Sequence, residues 1–317
     1  MIWFYKLIAF ILALFIYSPV SEVVSYTTFQ DNAKLTFTVL SDVHLEGNNE
    51  DRFNLFGEGI RDINANKSND FIVFLGDNTM NGQVVELSAF YSILDEYNTF
   101  DTYMVTGNHD LCPSDYNTGD YEDLRDRFFK YKNEYSKTQY DDSVYYSVNI
   151  SDEFQLIVLG SESDAGIQED ISDEQLNWLE SELKTAKDSE KIVFIFNHYP
   201  LNNTWENVWS EGHIGEDSDR VYEILKNAQT QILYFSGHLH MGYYDDKREV
   251  VYDDNVTFIN VAGFGVDNTD GDADIQHNGT GLQVEVYEDN ILIRVRDFAV
   301  HKWLDIEYRV ELYKEYK

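Results

Sequence analysis

The 317-residue chain is long enough to bury a sizeable core, and its 43% hydrophobic and 15% aromatic residues are typical of a globular protein. Its 58 acidic and 23 basic residues give a formal net charge of −35, which repels nucleic-acid polymers and anionic lipid surfaces. We therefore expect no nucleic-acid partner. A small phosphate-bearing substrate remains compatible with this charge, because bound metal ions reverse the sign of the field locally.

The first segment of the chain is apolar and predicts export. Lys6 precedes an uninterrupted apolar run from Leu7 to Tyr17, which has the length of a signal-peptide hydrophobic region and is short for a membrane-spanning helix. We expect residues 1–25 to form a signal peptide or an N-terminal anchor, and residues 26–317 to form one domain. The protein is then secreted or otherwise extracytoplasmic, and it contacts a membrane only if this segment stays uncleaved.

Five short runs of β-branched or aromatic residues follow, and each ends in a polar cluster. They are LTFTVL before SDVH, DFIVFL before GDN, TYMV before TGNHD, KIVFIF before NHYP, and QILYF before SGHLH. Such runs predict buried strands. The segment SDEQLNWLESELKTAKD predicts a helix, since Ser172 and Gln175 have capping-box spacing and its leucines recur at helical spacing. Alternating strands and helices indicate an α/β protein, and a late hairpin through EDN makes the sheet mixed.

The polar clusters hold five of the eight histidines. In α/β sheets ligands bind beyond the carboxyl ends of strands, which is where these clusters lie. Asp, Asn and His side chains without a thiolate suit iron, manganese or zinc better than calcium or magnesium. The remaining histidines, His213, His277 and His301, have no such setting and are interpreted as structural. Cys112 is interpreted as a small buried hydrophobic residue and has no assigned role.

The number of candidate ligands favours two metal ions. Seven side chains are too many for one four-coordinate ion, whereas two ions about 4 Å apart can share one carboxylate. Asp77 is the natural bridge, because its loop lies midway in the series and a carboxylate offers two oxygens. Gly107 precedes the Asn-His pair and is expected to let the backbone turn sharply after its strand.

Taken in order, the blocks DVH, GDN, GNHD, NHYP and GHLH resemble the five-block signature of the calcineurin-like metallophosphoesterase superfamily. The resemblance implies a four-layer α/β/β/α sandwich with two mixed β-sheets, and hydrolysis of a phosphomonoester or phosphodiester by a metal-bound hydroxide. It implies that one metal is held by Asp42, His44 and His240, that Asp77 bridges, and that the second metal is held by Asn108, His198 and His238.

The resemblance also assigns His109 as the proton donor to the leaving group, and it implies substrate contacts from Asn108, His109 and His198. Asp110 is expected either to orient the His109 imidazole or to cap the following helix. The pattern is closer to the cyclic-nucleotide phosphodiesterase-like and general phosphohydrolase branches than to purple acid phosphatases, whose GDxxY block places a tyrosine ligand where this chain has Met80.

A second hypothesis is a non-catalytic metal-binding or interaction module on the same fold, because proteins of one fold can lose catalytic activity and keep an interaction surface. Modules of that kind normally show substituted ligands, and every ligand implied by the resemblance is present here. The sequence therefore favours a hydrolase that acts on a small phosphate ester and uses two ions of iron, manganese or zinc.

Overall fold

The computed structural model describes residues 32–111, 119–136, 138, 140–163, 169, 171–202, 204, 217–240, 242–243, 250–265 and 278–312. The predicted signal segment, Cys112, His213 and His277 lie outside these residues. Within the described ranges, no helix has both the length and the hydropathy needed to cross a membrane.

Six helices and twelve strands occur among the described residues. The helices are α1 (Glu50–Ala65), α2 (Val84–Tyr97), α3 (Asn108–Leu111), α4 (Tyr121–Tyr135), α5 (Asp173–Asp188) and α6 (Ser218–Asn227). The strands are β1 (Leu35–Leu40), β2 (Phe71–Leu75), β3 (Asp101–Val105), β4 (Tyr146–Asn149), β5 (Phe154–Val158), β6 (Ile192–Phe196), β7 (Ile232–Ser236), β8 (Val250–Asp253), β9 (Val256–Asn260), β10 (Thr280–Val286), β11 (Asn290–Asp297) and β12 (Lys302–Glu311).

The strands form two mixed six-stranded sheets. The first has the order β12-β11-β10-β1-β2-β3, with β1, β2 and β3 parallel and the others antiparallel. The second has the order β4-β5-β6-β7-β9-β8, with β5, β6, β7 and β9 parallel. The carboxyl ends of parallel strands lie at one edge of a sheet, so the loops that follow β1, β2, β3, β6 and β7 are free to meet there.

Three apolar clusters separate the layers and confirm the predicted α/β/β/α sandwich. One lies between the sheets, where Phe37 of β1 makes edge-to-face contacts with Phe194 and Phe235 of the second sheet at ring-centroid distances of 5.0 and 6.1 Å. A second lies between the first sheet and helices α1, α2 and α4. The third lies between the second sheet and helices α5 and α6.

The five strands predicted from apolar runs are confirmed as β1, β2, β3, β6 and β7, and the late hairpin is confirmed as β10 and β11. Helix α5 begins as predicted after Ser172, whose Oγ accepts a hydrogen bond from the Gln175 backbone at 3.1 Å. The second hydrogen bond of a capping box would join the Ser172 backbone N–H to the Gln175 side chain, and here both groups have other partners. The Ser172 backbone donates to Glu162, and the Gln175 amide donates to the carbonyl of Gly160, so this glutamine anchors the loop after β5 instead.

A buried ion pair joins α1 to β11 on the outer face of the first sheet. The Arg296 guanidinium donates to both carboxylate oxygens of Asp62 at 2.6 and 2.8 Å, and only 1% and 5% of these side chains are exposed. His301, interpreted as structural from the sequence, contacts the same carboxylate at 2.8 Å. The pair is therefore a buried polar contact between this helix and the C-terminal hairpin.

Replacing Asp62 with alanine is expected to lower the free energy of unfolding by about 3–5 kcal/mol, because it leaves a buried guanidinium without its carboxylate partner. Urea unfolding measures this loss. The matched control on the same helix is Glu58→Ala, which breaks the half-exposed pair with Arg61 and is expected to cost less than about 1 kcal/mol. Similar losses in both variants would show that the buried pair contributes no more than a surface pair.

Candidate metal centre

The structure brings the predicted ligands together at the carboxyl edge of the two sheets. Two groups of side chains have one possible ligand atom each within 4.8 Å of the others in the group. The first group is Asp42, His44, Asp77 and His240, and the second is Asp77, His198 and His238. The groups share Asp77, which is the division of ligands that the sequence resemblance implies.

One oxygen of Asp77 faces both groups. Its Oδ2 lies 3.4 Å from Nε2 of His44 and 3.3 Å from Nε2 of His198. The other oxygen, Oδ1, accepts a hydrogen bond from the His109 backbone N–H at 2.8 Å. Oδ1 thus carries a backbone hydrogen bond, whereas Oδ2 is the oxygen that lies close to imidazole nitrogens of both groups.

Asp42 has the same division between its two oxygens. Oδ1 lies 3.1 Å from Nε2 of His240 and 3.7 Å from Nε2 of His44. Oδ2 accepts hydrogen bonds from the Ser41 hydroxyl at 2.5 Å and from the His238 backbone at 3.1 Å. Donors that orient a carboxylate in this way fix which lone pairs it presents to a cation. Ser41 was not identified from the sequence, although it directly precedes the first block.

Two of the candidate ligand histidines, His198 and His44, have contacts on the ring nitrogen that faces away from the centre. Nδ1 of His198 donates to the carbonyl of Leu75 at 2.9 Å, so Nε2 is the nitrogen that faces Asp77. Nδ1 of His44 lies 3.1 Å from the sulfur of Met80. Support from these two residues was missed in the sequence, because it depends on contacts across neighbouring loops.

The donor set fits a transition-metal site. Asn108 begins α3, and its side-chain oxygen Oδ1 is buried without a hydrogen-bond partner among the described residues. Buried polar atoms are almost always satisfied, so this oxygen is available to a cation. Together with imidazole and carboxylate donors, it gives the mixed nitrogen and oxygen set that suits iron, manganese or zinc.

The electrostatics of the cluster favour a cation. Burial acts to lower the pKa of His198, but the carboxylates of Asp77 and Asp42 raise it to about 10. Burial lowers the pKa of His238 to about 3, and the charge of His198 adds to this effect. Burial acts to raise the pKa of Asp77, yet His198 and His44 lower it overall. The carboxylates therefore stay ionised, and the field that draws a proton to His198 also draws a metal ion.

Five of the seven candidate ligands lie on left-handed backbone. Positive φ values between 47° and 68° occur at Asp42, His44, Asp77, His238 and His240. Non-glycine residues seldom adopt this region, and such residues cluster at functional sites. A Cβ atom on Gly107 would lie only 2.1 Å from Oδ1 of Asp77. Glycine is therefore needed there for close approach, and Gly107 is not among the glycines with positive φ.

Asp110 has a role different from both sequence expectations. It is the third residue of α3 and so is not the helix N-cap, and the His109 ring donates instead to a main-chain carbonyl. The Asp110 carboxylate accepts hydrogen bonds from the backbone of Gly107 and from backbone and side-chain donors of Asn78 and Thr79 at 2.9–3.2 Å. This buried carboxylate ties the loop after β2 to the loop after β3.

His109 lies beside the two groups. Its Nδ1 donates to the carbonyl of Met80 at 2.8 Å, and its ring makes an edge contact with the His44 ring at a centroid distance of 4.6 Å. A carbonyl oxygen only accepts, so the hydrogen of neutral His109 lies on Nδ1 and leaves Nε2 for other partners.

Comparison with known proteins agrees with this geometry. The model of the calcineurin-like phosphoesterase family matches residues 35–242, a range that includes all five blocks. A search of curated proteins finds no match.

Several solved structures have the same fold. A dimetal phosphatase from Danio rerio superposes with a TM-score of 0.66 at 15% identity, over 89% of this chain and 100% of that chain. A purple acid phosphatase from yellow lupin seeds has a TM-score of 0.60 at 13% identity, over 89% of this chain and 54% of that chain. PhoD has a TM-score of 0.55 at 10% identity, over 89% of this chain and 69% of that chain. At these identities the similarity establishes the fold.

Proposed function

The chain belongs to the calcineurin-like phosphoesterase family, and from this premise we propose that it hydrolyses a small phosphomonoester or phosphodiester with the help of two metal ions. The observation that carries the proposal is the position of Asp77, whose Oδ2 lies 3.4 and 3.3 Å from imidazole nitrogens of the two ligand groups. One carboxylate oxygen between two sets of donors suits a pair of ions and has no evident use for a single one.

The proposal assigns one ion to Asp42, His44 and His240 and the other to Asn108, His198 and His238, with Asp77 shared. When bound, iron, manganese or zinc ions acidify water and neutralise charge on the phosphate. The net charge of −35 makes that neutralisation necessary, because the protein otherwise repels an anionic substrate. Asn108, His109 and His198 are the proposed substrate contacts.

We assign the proton transfer to His109. Its Nδ1 hydrogen stays on the ring in the hydrogen bond to a main-chain carbonyl, so the proton donor is the doubly protonated ring, whose Nε2 releases a proton to the leaving alkoxide and leaves neutral imidazole. The backbone N–H of the same residue binds Oδ1 of Asp77 at 2.8 Å. The position of the proton donor is therefore linked to the carboxylate shared by both ligand groups.

The proposal is tested by hydrolysis of p-nitrophenyl phosphate and bis-p-nitrophenyl phosphate after metal removal and reconstitution with manganese, iron or zinc. We expect turnover that depends on added metal, and the ratio of the two rates distinguishes a monoesterase from a diesterase. A protein that binds two ions but hydrolyses neither ester, nor any member of a panel of nucleotides, cyclic nucleotides and sugar phosphates, would instead be the non-catalytic module. Export through residues 1–25 stays a separate proposal from the sequence.

A further inference from the structure

Met80 lies in the loop after β2 and contacts the segments that follow the other two parallel strands of the first sheet, β1 and β3. Its backbone N–H donates to the carbonyl of Leu45 at 2.8 Å, in the loop after β1. Its carbonyl accepts from Nδ1 of His109 at 2.8 Å, in the loop after β3. Its thioether sulfur lies 3.1 Å from Nδ1 of His44. A single residue of the GDNTM segment thus contacts both a candidate ligand and the candidate proton donor.

The thioether is in the position that a hydrogen-bond acceptor for a metal ligand normally has. Nε2 of His44 faces the centre, 3.4 Å from Asp77 Oδ2 and 3.2 Å from Nε2 of His240, so Nδ1 is left to carry the ring hydrogen. Metal-binding histidines usually donate that hydrogen to a carboxylate, a carbonyl or water. Sulfur is a weaker acceptor than any of these.

The two ligand groups differ in this respect. His198, in the second group, donates to the main-chain carbonyl of Leu75 at 2.9 Å. For His44, in the first group, the contact of the corresponding nitrogen within the described part of the chain is with the Met80 thioether. The His44 and His109 rings are in edge contact at a centroid distance of 4.6 Å, so rotation of the His44 ring would also displace the His109 ring.

From these contacts we infer that Met80 is a positioning residue for the metal ligand His44: its sulfur accepts the Nδ1 hydrogen and sets the orientation of the ring. The inference rests on the proposed function, since it takes the Asp42, His44 and His240 group to hold an ion. The effect of Met80 on metal binding is confined to that group, because His198 in the second group donates to the carbonyl of Leu75 instead.

The test compares Met80→Leu with Met80→Gln. Leucine keeps the apolar volume and removes the acceptor, whereas glutamine has methionine's length and offers an amide oxygen to the same nitrogen. We expect Met80→Leu to weaken the binding of one of two Mn²⁺ ions by about 10-fold and to leave the other unchanged, because outer partners of metal ligands contribute at least that much. Met80→Gln should restore the affinity. Titration calorimetry with Mn²⁺ and without substrate measures both.

The matched control is Met104→Leu, the same substitution at a buried methionine of β3, which should leave both affinities at the parent value. Unchanged Mn²⁺ binding in Met80→Leu would overturn the inference. Equal weakening in the leucine and glutamine variants would also overturn it, because it would mean that the shape of the Met80 side chain matters and its acceptor atom does not. A parent protein that binds two ions without hydrolysing any ester would contradict the proposed function and still leave the calorimetric comparison decisive for Met80.

Discussion

Replacing Asp77 with asparagine is expected to remove most of both metal ions and to lower turnover by more than about 10³-fold, which corresponds to about 4 kcal/mol of transition-state stabilisation. The reason is the position of Oδ2, which lies 3.4 and 3.3 Å from nitrogens of the two ligand groups. Asparagine keeps the shape and an oxygen for the His109 backbone, but it puts an NH₂ group where a shared anionic oxygen is needed.

Elemental analysis after mild purification measures the ions, and steady-state kinetics measures the turnover. The matched control is Asp70→Asn at the opposite end of the same strand, where the carboxylate accepts a hydrogen bond from the Thr36 backbone at 2.8 Å. That variant should keep both ions. If Asp77→Asn loses only one ion, Asp77 belongs to a single site and the proposed bridge is wrong.

Replacing His109 with alanine is expected to leave both ions bound and to slow hydrolysis of esters with poor leaving groups by about 10²–10⁴-fold. An alkyl ester needs a proton as its bond to phosphorus breaks, whereas p-nitrophenolate leaves almost without one. The loss should therefore be small for p-nitrophenyl esters. The substitution keeps the backbone N–H that binds Asp77 Oδ1, so the orientation of this carboxylate should be retained.

The measurement is the ratio of turnover on an alkyl phosphate to turnover on p-nitrophenyl phosphate, in the parent and in the variant. His301→Ala is the control for loss of an imidazole, because this residue contacts Asp62, on α1, rather than the metal centre. A loss of equal size on both esters in His109→Ala would mean that the residue binds substrate and does not donate the proton.

Much of this architecture could be predicted from the sequence, because the strands are buried on both faces. LTFTVL is strand β1 from Leu35 to Leu40, and all six of its residues are buried. A continuous apolar run that ends in Asp, Asn or His marks both a strand and the point where it leaves the core. The candidate ligands could be predicted for the same reason, since each lies within a few residues of such an end.

Contacts between loops could not be predicted in this way. Asp110 is next to His109 in sequence, which suggested a shared role, but it lies on the side of α3 that faces Asn78 and Thr79. Met80 could be compared with tyrosine at the same position, yet its contact with His44 joins residues 36 positions apart. Such contacts depend on side-chain direction within irregular loops, where no helical or strand period applies.

Because five of the candidate ligands lie on left-handed backbone, we expect the stability of the protein to depend on its supply of metal. Each such residue costs roughly 1–3 kcal/mol unless surrounding interactions offset it, and the total stability of a folded protein is only about 5–15 kcal/mol. Ions that bind the folded chain and not the unfolded chain stabilise it by mass action. Metal availability would then control how much of the protein stays folded as well as how fast it works, and the difference in Tm between metal-free and reconstituted protein measures that dependence.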